Sequence, residues 1–128
     1  MRIGVAVSDP SGRIATPVET VEAHPRSAAI KRIVELVAST GAERVVVGLP
    51  LTLDGTEGQT VRRTRQFVAG VAERVPVPIV EWDERMTSLA AERSLLESGV
   101  RRQRRREVID QVAATLILQS WLDAGRPE

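Results

Sequence analysis

Apolar positions along this chain are grouped first in short β-type runs and then in runs that alternate between strand and helix spacing. Residues 2–7 (RIGVAV) are apolar and rich in β-branched side chains, and Ser8-Asp9-Pro10-Ser11-Gly12 follows with the composition of a turn. Arg13 to Val21 alternates passably but contains Pro17, which cannot donate to a ladder and marks an edge strand. The two runs read as a hairpin. Ile30, Ile33, Val34 and Val37 then recur at helical spacing, predicting a helix over about 27–40 that ends before Gly41. Val45 to Pro50 is a continuous apolar run of the kind found in a strand covered on both faces, so this strand is expected to be central. After the polar loop Asp54 to Gly58, Thr56 and Gln59 have capping-box spacing for a helix carrying Val61, Phe67, Val68 and Val71. Val75 to Glu81 reads as one more strand, Thr87 as the N-cap of a helix stopping at Gly99, and residues 105–124 as a last helix before Gly125 and Pro127.

The order β-β-α-β-α-β-α-α predicts an α/β fold, a mixed sheet flanked by helices. No internal repeat or linker interrupts it, so residues 1–128 read as a single domain, and a chain of this size can bury about two-thirds of its unfolded surface.

Composition narrows the chemistry. There is no cysteine and only one histidine, His24, so disulfides, thiolate metal sites and all-histidine zinc sites are excluded. Catalysis would have to use carboxylates, hydroxyls and arginine. No apolar run approaches the roughly 18 residues of a membrane span, and the acid and proline of MRIGVAVSDP interrupt what a signal peptide would continue, which reads as a cytoplasmic protein. The net charge of +1 conceals an uneven distribution: all but one of the 18 basic residues are arginine, and Arg101, Arg102, Arg104, Arg105 and Arg106 stand together leading into the last predicted helix. Arginine forks bind phosphate bidentately, and each neutralised phosphate releases counterions. Arg62, Arg63 and Arg65 form a second basic group. Trp82, Trp121 and Phe67 are the only aromatic residues, too few for base-stacking platforms, so nucleic-acid contacts would be made mostly with phosphates. The Asp54-Gly55 loop lacks the lysine of a P-loop, and His24 beside Pro25 reads as a surface loop residue.

Three acidic positions draw attention. Asp83 and Glu84 lie just past the end of a predicted strand, where open α/β sheets form ligand crevices, although acids there can equally serve a helix N-terminus through its dipole. Asp110 borders an apolar stripe that includes Ala114, Ile117 and Trp121. It is either half-exposed in a first turn and paired with Arg106, or it faces Glu84 across a shared cation. An oxygen-only ligand set suits Mg²⁺ or Mn²⁺.

The segments RIGVAVSDP (2–10), ATPVETV (15–21), VVVGLPLTLDGTEG (45–58), DERMTS (83–88) and IDQVAATLILQSWL (109–122) together resemble the YqgF family, Holliday junction resolvase-like proteins also known as pre-16S rRNA nucleases. The resemblance covers nearly the whole chain. It implies an RNase H-like fold and a metal-dependent cytoplasmic endonuclease that processes the 5′ end of pre-16S rRNA. A branched-DNA substrate, or a ribosome-assembly protein that binds nucleic acid without cleaving it, are the alternatives. By resemblance Glu84 and Asp110 are the acidic active-site positions, and Asp83, Arg85 and Thr87 belong to the same motif in supporting roles. Family members place a strand ending in Asp-x-Gly ahead of the R-I-G-V-A motif, and its aspartate is a third acidic ligand. Here Met1 stands directly before Arg2, so the expectation is that the first, central strand is missing from this chain, through an internal start or a true truncation; Asp9, at the far end of the next strand, is no substitute.

Overall fold

The structure is a computed structural model, and it describes residues 2–49, 58–83 and 102–127. In chain order these form β1 (Arg2–Ser8), β2 (Ala15–Glu22), α1 (Arg26–Thr40), β3 (Val45–Leu49), α2 (Gln59–Ala72), β4 (Ile79–Asp83) and α3 (Arg102–Asp123). The expected alternation of strands and helices is present, and the α/β class with it. The chain divides into two compact units, Glu22–Arg85 and Arg2–Val21 with Met86–Glu128.

In the first unit β3 and β4 pair in parallel, from Val45 opposite Ile79 to Leu49 opposite Asp83. The main chain of Val45 also donates to Pro78 O at 3.0 Å, which brings β4 into register where the prolines end. That explains why the strand starts at Ile79 instead of Val75. Arg74 N and Val75 N both still donate to Val71 O, so Val75 belongs to the turn that closes α2 and is buried there. The core joins Ile30 of α1 to Val71 and Val75, with Ile33, Val34, Val37, Phe67, Val77 and Ile79 packed around them. Burying each such aliphatic side chain is worth about 1.5–3 kcal/mol. Gly70 makes room for Ile30, whose Cδ1 would lie 2.7 Å from a Cβ at that position. α1 stops where predicted: Gly41 adopts φ 67°, and Ala42 N reaches back to Val37 O at 3.2 Å. α2 does not begin with the expected capping box. Its N-cap is Gly58, in extended conformation and without a side-chain cap, and Thr56 lies outside the described residues.

β3 is half-buried from Val45 to Gly48, with only Leu49 buried, and β4 is its one neighbour among the described strands. The expectation of a central strand covered on both faces is therefore corrected: the described strands form two two-stranded sheets, β1-β2 and β3-β4. A strand paired on one side keeps part of its surface open, whatever its apolar content.

The second unit is the β1-β2 hairpin packed on α3. Asp9 organises the turn. Its Oδ1 accepts from Arg13 N at 2.7 Å and Ile14 N at 2.9 Å, and its Oδ2 accepts from Ser11 Oγ. These bonds occupy the main chain of residues 13 and 14, so β2 begins at Ala15 and not at Arg13. Three hydrogen bonds to the ionised form, of which that from Ile14 is the strongest influence, hold the Asp9 carboxyl down at about 2. α3 ends in a Schellman arrangement, with Gly125 at φ 91°, Gly125 N bonded to Leu122 O, and Arg126 N bonded to Trp121 O at 3.0 Å. The Trp121 indole then donates to Pro127 O at 2.7 Å, tying down the tail.

The side chain of Gln119 joins helix to hairpin much as a peptide group of a neighbouring strand would. Its Oε1 accepts from Ala15 N at 2.9 Å, and its Nε2 donates to Arg13 O at 2.7 Å and to Asp123 Oδ1 at 2.9 Å. One donor and two acceptors around a single amide determine its orientation.

Candidate active site

α3 begins at Arg102, three residues before the sequence predicts, because arginine is itself a good helix former. Arg102 and Arg104 are thus part of the helix, together with Arg105 and Arg106, and not a loop ahead of it; Arg101 lies outside the described residues. With the helix beginning at Arg102, Asp110 lies in its third turn and not in a first turn. There Asp110 is half-buried, its Oδ2 is buried, and the apolar side of the same helix continues below it through Ala113, Ile117 and Trp121. The first-turn placement is thereby corrected, while the half-exposed state expected for the residue as a whole is what the structure shows.

What holds Asp110 in place comes from the hairpin. β1 crosses α3 so closely at Gly4 that a Cβ there would meet the carbonyl oxygen and carbon of Asp110 far inside 3.0 Å, and would lie 3.1 Å from Gln111 N. The neighbouring side chain of Gln111 reaches β2, with Nε2 donating to Thr20 Oγ1 at 3.3 Å. An acid on a helix thus sits against a strand at a point where neither backbone can move closer or be pushed apart without moving the carboxylate.

The other predicted residues are distributed differently. Asp83 is the last residue of β4, inside the strand and not past its end, half-buried and in register with Leu49. It belongs to the first unit, Asp110 to the second. Glu84, Arg85 and Thr87 lie outside the described residues, as does the predicted helix from Thr87 to Gly99. Arg62 and Arg63 are exposed near the start of α2, whereas Arg65 is bonded through Nε to Glu81 Oε2 at 3.0 Å, between α2 and β4. Among the described residues no group of three or more His, Cys, Asp or Glu is gathered as a metal cage. His24 is exposed, as expected for a loop residue. Asp9 follows the end of β1, five residues beyond Gly4 and about 16 Å at about 3.3 Å per residue, and its carboxylate is engaged with the turn.

Sequence reasoning does not single out Gly4, Thr20, Gln111 or Gln119. A signal for Gly4 is present all the same: an isolated glycine within a β-branched strand marks close approach of another backbone. For Gln119 the only clue is a polar residue in the apolar LILQSWL run.

A family model described as "RuvX: Holliday junction resolvase" matches residues 1–124. The chain is 50% identical to a protein of Chloroflexus aggregans over 98% of its own length and 88% of the relative's. It is 46% identical to proteins of Pelotomaculum thermopropionicum and Myxococcus xanthus, in each case over 98% of this chain and 83% of the relative. All three carry the name "Putative pre-16S rRNA nuclease".

Proposed function

Since the chain belongs to the RuvX family, we propose that it is a nuclease that hydrolyses phosphodiester bonds in structured RNA, processing the 5′ end of pre-16S rRNA in the cytoplasm. The observation that carries this reading is the position of Asp110, a carboxylate with one buried oxygen, held where β1 and α3 touch. Among the described residues no helix is long and apolar enough to cross a membrane.

In this reading Asp110 and Glu84 hold one or two divalent ions, Mg²⁺ or Mn²⁺. The donor chemistry of Asp110 fits: carboxylate oxygens are the hard ligands these ions prefer, and a chain without cysteine offers no competing thiolate. A divalent ion bound by such carboxylates supplies a water of lowered pKa and positive charge beside the attacking and leaving oxygens of phosphodiester hydrolysis. The protein's own part is to keep the Asp110 carboxylate in one place. Asp83, Arg85 and Thr87 support the same motif. Arg62, Arg63, Arg101, Arg102, Arg104, Arg105 and Arg106 contact phosphates, drawing the polyanion in and setting its register without reading its sequence.

The test is cleavage of an RNA carrying the 16S precursor sequence in the presence of Mg²⁺ or Mn²⁺. Glu84→Gln and Asp110→Asn should abolish it while leaving the fold intact by circular dichroism. Cleavage that needs no metal, or that survives both substitutions, overturns the reading. Preference for a four-way DNA junction over the RNA would reassign the substrate. Salt-sensitive RNA binding without cleavage would make the protein a binding module.

A further inference from the structure

We propose that Gly4 is a positioning residue for the Asp110 carboxylate, with Thr20 and Gln111 as its auxiliaries; the proposal rests on the reading of Asp110 as a metal-holding acid. Gly4 is the third residue of β1, amid side chains that favour a strand without its help, and it is in no conformation that demands glycine. Its reason for being glycine is contact. A methyl group at this position would have to occupy the space of the Asp110 carbonyl, which is backbone and cannot rotate away as a flexible side chain would.

Relief requires α3 to withdraw from β1, or to slide along it, by a distance on the order of an ångström, judged from the deficit below ordinary Cβ contact. The carboxylate of Asp110 departs from the same α-carbon as the displaced backbone, so it moves with it. A misplacement of about 1 Å in a catalytic group can cost about 10²-fold in rate. Gln111 and Thr20 act on the same stretch of helix from β2. Their 3.3 Å hydrogen bond opposes rotation of α3 about its axis, the motion that would swing Asp110 without separating helix from strand.

Three measurements on the full chain separate positioning from mere stability: Mn²⁺ affinity by calorimetry, kcat and KM for the structured RNA, and folding by circular dichroism. Gly4→Ala should remain folded, lose about 10²-fold in kcat and bind Mn²⁺ more weakly, whereas KM for RNA should change far less than kcat because every basic side chain is retained. Thr20→Val removes the hydroxyl at nearly constant shape and should lower kcat and Mn²⁺ affinity in the same direction by a smaller factor; Thr20→Ser, which keeps the hydroxyl, should recover them. Asp110→Asn serves as the reference for the site. If Asp110→Asn loses Mn²⁺ binding and cleavage while a folded Gly4→Ala keeps both at wild-type level, the positioning role is overturned and the proposed function stands. If Asp110→Asn keeps both, the premise falls and the proposal with it. Should Gly4→Ala not fold, the threonine pair decides: wild-type kcat and Mn²⁺ affinity in Thr20→Val overturns the proposal, and a loss recovered by Thr20→Ser supports it.

Discussion

Replacing Gln119 with leucine should test how far one side-chain amide holds the hairpin to α3. The substitution keeps side-chain volume close to that of glutamine and removes three hydrogen bonds, but they are not equal. Ala15 is 7% exposed, so its N–H, deprived of Oε1, becomes a buried donor without a protein partner. That costs about 1–3 kcal/mol. Arg13 and Asp123 are exposed, and water can replace Nε2 at both, so their contribution is small. A loss of about 1–3 kcal/mol corresponds to roughly 4–12 °C in Tm for a chain of this size. Gln119→Glu adds a directional check. An ionised glutamate would still accept from Ala15, but its second oxygen would face the Arg13 carbonyl and the Asp123 carboxylate, acceptor against acceptor. It should therefore be at least as destabilising as leucine at pH 7 and recover as the pH falls and a proton returns to the pair. Urea unfolding of the three proteins, with amide exchange at Ala15, provides the measurement. Leucine within about 0.5 kcal/mol of wild type, with the Ala15 amide still protected, would refute the reasoning.

Further expectations can be checked separately. The Asp9 carboxyl is lowered from the ordinary aspartate value of 3.8 to about 2, because the fold hydrogen-bonds its ionised form; its stabilisation is complete above about 3.8 and lost as pH falls toward 2. The stability difference between wild type and Asp9→Ala in an acid titration should accordingly shrink over that window, and a difference unchanged at pH 2 would contradict it. Ile30→Ala should cost about 2–5 kcal/mol by thermal or urea unfolding, since the cavity would open among Val71, Val75 and their neighbours. A cost below about 1 kcal/mol would mean that this core collapses freely. Neutralising Arg62 and Arg63 to glutamine should flatten the salt dependence of RNA binding, by about one unit of slope for each phosphate these arginines neutralise. An unchanged slope would remove them from the interface.

Much of the architecture is legible in the sequence because its determinants are local. The β-branched run at 2–7, the helical spacing of Ile30 to Val37 and the glycine after Thr40 each act within a few residues, and the elements appear close to where these signals place them. Boundaries shift where a distant or unexpected partner intervenes. Asp9 takes the amides of residues 13 and 14, the Val45-Pro78 bond brings β4 into register after the prolines, and the arginine run joins α3.

For the candidate site the division is sharper. Residue types alone settle the available chemistry: carboxylates and arginines, no thiol, one histidine, and the acidic positions Asp83, Glu84 and Asp110 within a recognisable family pattern. What a side chain can ligate or donate follows from its identity, and a motif needs no coordinates. It takes the folded chain to show that Gly4 touches the backbone of Asp110, that Gln111 reaches Thr20, and that Gln119 completes the hydrogen bonding of β2 from a helix position 104 residues away. Those contacts join positions remote in the chain, and their geometry depends on how closely helix and strand pack, a quantity that no local pattern of hydrophobic and polar residues encodes.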